Sequence, residues 1–232
     1  MLDIKIIPFN NFQENGMIVS TKEGRCAIID PGYNSPEEKS QLDTYIKSKG
    51  LKPTMIALTH GHFDHIFGVK DCIDTWGIPV YMHHADRVIL DNNGWFCTQY
   101  GFRTPEVFPT TDIKEGDILD INTGSLIQAE NLETGLEVIE TPGHTPGGVC
   151  YLNRDSKVLI AGDSIFAGAI GRTDNEWGNY DDLMRSILTK IMVLNGDIDI
   201  IPGHGPQTDV AYEGQNNPFL VPFNEPLPDD FE

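Results

Sequence analysis

The stretch Thr59-His60-Gly61-His62-Phe63-Asp64-His65 decides how this chain is read. Four metal-competent side chains, His60, His62, Asp64 and His65, fall within six residues of it. The apolar run Met55 to Thr59 reads as a short strand leading into the cluster. Beyond it Ile66, Val69, Ile73 and Trp76 repeat at helical spacing, with Gly77 placed to end the helix. The cluster therefore occupies a strand-to-helix connection, with Asp64 expected as the helix N-cap. His60 and His62 alternate along the extended part, which lets both converge from one side. Asp64 and His65 open the helix and face a neighbouring position. One ion holding all four would be closed to substrate, so the spacing points to two ions. The alternative, a polar turn with solvated histidines, gives no reason for such a density.

Three more residues recur in one setting, a strand end meeting a glycine-rich turn. They are His144 in Thr141-Pro142-Gly143-His144-Thr145, Asp163 in Ala161-Gly162-Asp163-Ser164 and His204 in Pro202-Gly203-His204-Gly205. Glycine beside a ligand allows close backbone approach and unusual dihedrals. Each alone reads as an ordinary turn residue; beside the first cluster they extend it.

The surrounding grammar is that of one α/β domain over residues 1–232. Ile4 to Pro8, Gly16 to Ser20 and Arg25 to Ile29 read as paired strands, Asp30-Pro31-Gly32 as a turn, and Pro36 to Lys49 as a polar helix ended by Gly50. Ile78 to Met82 reads as another strand. Residues 85–134 show little periodicity beyond a short helix and are expected to form the substrate-covering loop. Glu137 to Glu140, Gly148 to Leu152, Lys157 to Ala161 and Ile198 to Ile201 read as strands. A helix over 181–194 carries Leu183, Ile187, Ile191 and Leu194 on one face. The tail from about residue 216, rich in Pro and acid, is expected to be largely irregular.

Composition narrows the function. The formal net charge of −19 and the dispersed Lys and Arg exclude a basic nucleic-acid surface. The 39% hydrophobic content is enough for a sizeable core without disulfide staples. Cys26, Cys72, Cys97 and Cys150 form no Cys-x-x-Cys pair and read as reduced packing residues. No apolar run approaches a membrane span and the N-terminus lacks a signal-like segment, so a cytoplasmic address is expected.

In its ordered ligand pattern, His-x-His-x-Asp-His, then Gly-His-Thr, Gly-Asp and Gly-His, the chain resembles the metallo-β-lactamase-fold superfamily. Among its members it looks most like the small glyoxalase II-like, or hydroxyacylglutathione hydrolase-like, enzymes. The resemblance spans the strand before Asp30 to Asn217-Pro218-Phe219. It implies an α/β (α+β) fold, a four-layer αββα sandwich with metals at one edge. It also implies one ion held by His60, His62 and His144 and a second held by Asp64, His65 and His204, with Asp163 bridging both. The implied cofactors are two divalent ions, zinc first and iron or manganese as alternatives. The implied chemistry is attack by a metal-bridging hydroxide on an acyl thioester, with Asp64 orienting it or relaying its proton. A thiolate leaves with little need of protonation, since thiols have pKa near 8.5.

Other features temper the substrate. His83-His84 follows a strand end but has no place in the ligand pattern, and reads as a surface or supporting pair. Arg172, in Gly171-Arg172-Thr173-Asp174, is either a salt-bridged turn residue or a carboxylate-binding residue at the pocket. A similar element occurs in the mononuclear iron persulfide dioxygenases, which makes that oxygenase the main alternative; lactone or other ester hydrolysis on the same fold is another. With the sequence ending soon after Asn217-Pro218-Phe219, the appended helical domain with which larger glyoxalase II enzymes grip glutathione is not expected. A β-lactamase role is disfavoured, since Asp163 stands where some lactamases place cysteine. The expected partner is a small acyl thioester, with no nucleic acid and no membrane.

Overall fold

Residues 1–127 and 132–221 are described by the structure, a computed structural model. Fifteen strands and six α-helices alternate along these residues. β1 (Asp3–Phe9), β2 (Glu14–Ser20) and β3 (Arg25–Ile29) form an antiparallel meander. α1 (Pro36–Lys49) returns the chain so that β4 (Lys52–Ala57) lies parallel to β3. α1 has the boundaries expected: Ser35 caps it through Glu38 N, and Gly50, at φ 64°, closes it.

α2 (Phe63–Ile66) and α3 (Val69–Trp76) follow, then β5 (Val80–His83), α4 (Arg87–Tyr100) and β6 (Thr111–Ile113). The first sheet runs in strand order from β1 to β6. β7 (Ile118–Asp120), β8 (Ser125–Ile127), β9 (Gly135–Glu140), β10 (Val149–Asn153) and β11 (Val158–Gly162) enter the second sheet. β12 (Ile165–Phe166) and β13 (Ala169–Ile170) make a separate hairpin. α5 (Tyr180–Ser186) runs into a π-helical turn, Ile187–Ile191. β14 (Asp199–Pro202), β15 (Thr208–Asp209) and α6 (Val210–Asn216) complete the described chain. The second sheet has the order β15-β14-β11-β10-β9-β7-β8.

Period-two alternation makes this a four-layer molecule. On β3, Cys26 and Ile28 join one apolar cluster, with Leu42 and Ile46 of α1 and Val69 and Cys72 of α3. Their neighbours Ala27 and Ile29 turn the other way, into a second cluster with Leu119, Val138, Val149 and Tyr151 of the second sheet. On β10, Cys150 and Leu152 face a third cluster, with Leu183, Ile187 and Ile191 of the α5 segment. Three apolar interfaces thus separate helices, sheet, sheet and helices, the αββα order expected. Strands buried on both faces explain why the core stretches read as continuous apolar runs.

Three expectations need correction. The helix after the ligand cluster breaks at Phe67-Gly68, and Asp64 lies inside α2 rather than capping it; the N-cap is His62, without a side-chain cap bond. The described residues between 85 and 134 are not mainly a covering loop: the short helix expected there is the fourteen-residue α4, and β6, β7 and β8 follow further on. The helix expected over 181–194 starts at Tyr180, turns π-helical at Ile187 and stops at Ile191. α6 ends at Asn216, and residues 217–220 beyond it have no helix or strand, as expected, although Asn217 and Leu220 are fully buried. The irregularity expected beyond residue 221 lies outside the described residues. All four cysteines are free and buried, and no helix among the described residues is long and apolar enough to cross a membrane.

Candidate metal centre

Four connections at one edge of the two sheets converge on a single site. β4 delivers His60 and His62, α2 delivers Asp64 and His65, and the turns after β9, β11 and β14 deliver His144, Asp163 and His204. Two of these turns depend on glycine. Gly143 has φ 139°, and a Cβ on it would lie 2.2 Å from Leu183 N. A Cβ on Gly203 would lie 2.2 Å from Asp163 Oδ1, so any other residue would displace the carboxylate.

The donor atoms of His60, His62 and His144 lie within 4.8 Å of one another, as do those of Asp64, His65 and His204. Asp163 stands between the two triads. Its Oδ2 is 3.4 Å from His144 Nε2 and 3.7 Å from His204 Nε2, and its Oδ1 is 3.6 Å from His65 Nε2. All seven residues singled out in the sequence are therefore brought together.

Hydrogen bonds on the far sides of the rings fix which nitrogen faces inward. A carbonyl only accepts, so His144 Nδ1 donates to Arg172 O at 2.8 Å and His204 Nδ1 donates to Phe12 O at 3.0 Å. His65 Nδ1 donates to Asp30 Oδ2 at 3.0 Å. The three Nε2 lone pairs consequently point into the site, the arrangement a metal-binding imidazole requires. His65 Nε2 and His204 Nε2 face each other at 3.3 Å, tolerable only with a cation or a proton between them. His60 Nε2 and Asp163 Oδ1 are buried with no hydrogen-bond partner in the protein. Buried unpaired acceptors are costly, and a divalent cation satisfies them. The residues present thus fit two ions with mixed imidazole and carboxylate donors.

Electrostatics divide the two triads. Burial, then the neighbouring His144, drives His62 down to about 3, so it is neutral. Burial, with the adjacent histidines, likewise depresses His60. Burial alone would depress His65 too, but Asp163, Asp64 and Asp30 overcome it and raise this group well above the usual histidine range. His204 is raised in the same way by Asp64 and Asp163 against burial.

Residues 10–204 match the metallo-beta-lactamase superfamily. The chain belongs to that superfamily. This chain is 33% identical over 222 residues to hydroxyacylglutathione hydrolase GloC of Haemophilus influenzae, covering 94% of this chain and 98% of that one. It superposes on the crystal structure of BLEG-1 B3 metallo-beta-lactamase with a TM-score of 0.83 at 34% identity, over 94% of this chain and all of that one. The corresponding values for TTHA1623, solved in a di-iron-bound form, are 0.79 and 30%, over 93% and 100%.

Around this metallo-beta-lactamase site lie residues that the motif left out. Asp30, Asp86, Asn15 and Asn93 hold the ligand loops. The Asp30 carboxylate accepts from Thr59 N at 2.8 Å and Thr59 Oγ1 at 2.5 Å as well as from His65. Asp30 also falls within a third potential ligand group with His60 and His65. Its oxygens are already engaged in orienting the loop, so it supports the site rather than making a third one. Buried Asp86 accepts from Gly61 N, Thr145 Oγ1 and Gly147 N, at 2.8, 2.9 and 2.5 Å, and so ties the His60–His62 loop to the His144 loop. Asn15 Nδ2 donates to the carbonyls of Pro202 and Gly205 on either side of His204. Asn93 Nδ2 donates to Gly61 O.

His83 and His84 stay outside the site: His83 Nε2 pairs with Glu140 at 3.1 Å, and its Nδ1 accepts from Ala85 N. His62, Asp64, His144, Asp163 and His204 form the floor of a cavity of about 740 Å³ lined also by Phe12, Phe63, Trp95, Phe96, Tyr100 and Arg172. Arg172 pairs through Nε with Asp174 at 2.8 Å and also lines the cavity.

Proposed function

We propose that this metal-dependent hydrolase is dinuclear and cleaves small acyl thioesters of the hydroxyacylglutathione type. One observation carries the reading: two imidazole-containing triads lie side by side, with the Asp163 carboxylate within 3.4 to 3.7 Å of ligand nitrogens in both. His60, His62 and His144 would hold one ion, and Asp64, His65 and His204 the other, with Asp163 shared. When bound, such ions supply an acidified water and an electrophile for the substrate carbonyl.

The protein's own groups supply position and a path for protons. Asp64 Oδ2 sits 3.4 Å from His204 Nε2 and 3.9 Å from His65 Nε2, with a side of the carboxylate still on the cavity. From there it can orient an attacking water or carry its proton. Burial opposes ionisation of Asp64, but His65, His204 and His62 overcome it and keep this group a carboxylate throughout the neutral range. Because a thiolate is a good leaving group, the reaction needs no dedicated acid opposite Asp64. The likeness to the Haemophilus hydroxyacylglutathione hydrolase supports this substrate class. Zinc is the ion proposed first, with iron or manganese as alternatives, and the address proposed is cytoplasmic.

The likeness to BLEG-1 favours β-lactam opening as a second reading. A panel of thioesters, lactones, a β-lactam and a glutathione persulfide, read by product and by an oxygen electrode, separates these activities. Thioester turnover without oxygen uptake is expected. Oxygen consumption with the persulfide and no thioester cleavage would instead mark an oxygenase.

A further inference from the structure

One wall of the cavity is aromatic. Trp95, Phe96 and Tyr100 come from the C-terminal half of α4, Phe12 from the β1–β2 turn and Phe63 from the start of α2. Phe12 packs on Phe63 and on Tyr100 with ring centres 5.7 Å apart in each case, and Trp95 on Phe96 at 5.0 Å. Phe96 continues to Trp177 at 5.7 Å. Despite these contacts Trp95 is 63% exposed and Tyr100 53%, so a large apolar surface borders the ligands. The polar side of the cavity is sparse. Arg172 is its sole Lys or Arg side chain; it is paired with Asp174, and Glu176 lines the same space.

A thiol bearing two carboxylates, such as glutathione, finds little counter-charge here, whereas a hydrocarbon finds rings to cover. We propose that the aromatic wall seats a hydrocarbon or aryl limb of the substrate, so that among acyl thioesters those with an apolar limb are cleaved faster than those without one. This inference rests on the hydrolase reading for its chemistry, and the wall's continuity with the ligand floor is what makes it a substrate surface. Each methylene buried against the rings would raise kcat/KM roughly fourfold until the wall is covered.

Two substrate series test it on the metal-loaded protein. The first varies the acyl chain from acetyl to octanoyl on a small neutral thiol; the second keeps acetyl and lengthens the thiol. A stepwise rise in either series supports the wall and identifies the limb it holds. Trp95→Ala and Tyr100→Ala, both at exposed positions, should flatten that rise, cutting the ratio of octanoyl to acetyl kcat/KM with metal content intact, and Trp95→Phe should keep most of it. Binding of uncleavable ethyl and hexyl thioethers, read by calorimetry, separates this inference from the hydrolase reading. Tighter hexyl binding without thioester turnover would keep the wall and remove the activity. Thioester turnover without chain-length dependence in either series would overturn the wall. So would a concentration-dependent dimer in sedimentation abolished by Trp95→Ala with no preference for hexyl, which would give the surface to a second copy of the chain.

Discussion

The Nε2 atoms of His65 and His204 face each other across 3.3 Å, while the Nδ1 atom of each ring is already engaged, on Asp30 and on the Phe12 carbonyl. Two lone pairs at that distance repel unless a positive charge lies between them. The surrounding carboxylates raise the pKa of both rings, so in the metal-free protein that charge is a proton. The upward direction favours a proton shared between the two rings, and a metal ion entering the same place would displace it. Calorimetric titration of metal into the metal-free protein, in buffers of different ionisation enthalpy, should therefore show proton release at pH 7 and weaker binding as pH falls. A binding enthalpy independent of the buffer would contradict this.

Chelation should also weaken the fold, because His60 Nε2 and Asp163 Oδ1 would lose the only partner available to them. Metal at a thousandfold excess over Kd contributes about 4 kcal/mol, roughly 10 °C in Tm at this chain length. Calorimetric scans before and after chelation, with restoration by added zinc, check the effect.

Asp163→Ala should lower metal content at both triads and abolish hydrolysis, since both lose a shared carboxylate. His83→Ala should leave metal loading nearly unchanged, because His83 pairs with Glu140 outside the site. Elemental analysis of the two variants side by side distinguishes them.

Asp86 is expected to behave as a ligand-positioning residue although it touches no ligand side chain. Asp86→Ala leaves Gly61 N, Thr145 Oγ1 and Gly147 N without their acceptor. The cost should be roughly 2–4 kcal/mol in denaturant unfolding. Metal affinity at the His60–His62–His144 triad should weaken with it. Unaltered metal affinity in a destabilised protein would reduce Asp86 to a packing role.

Arg172→Ala should raise KM for anionic thioesters more than for neutral ones, with metal content intact. One charge-assisted contact is about 1.5–3 kcal/mol, roughly tenfold to a hundredfold in kcat/KM. Equal losses for both substrate types would leave Arg172 as the partner of Asp174 and the carbonyl that orients His144.

The ligands and most strands were legible because their signals are local. His60 to His65 lie within one connection, and Pro36 to Lys49 carries its own cap and its own glycine stop. α4 was not legible. Its interior holds Asn92, Asn93 and Gly94, poor helix formers, so no pattern announces it. Tertiary contact stabilises it instead: Ile89 and Cys97 are buried, and Asn93 holds the Gly61 carbonyl. Asp30 and Asp86 were missed for a related reason, since a buried carboxylate reads like any turn acid until the amides that surround it are seen. The aromatic wall combines Phe12, Phe63 and Trp95, which are far apart in sequence and meet only in the fold.

The number of metal ions per chain tests the central claim most directly. Elemental analysis of fully loaded, active protein should give two, bound by His60, His62, His144 and by Asp64, His65, His204 with Asp163 between. A single tightly bound ion in fully active protein would contradict the dinuclear centre and return the chain to a mononuclear chemistry.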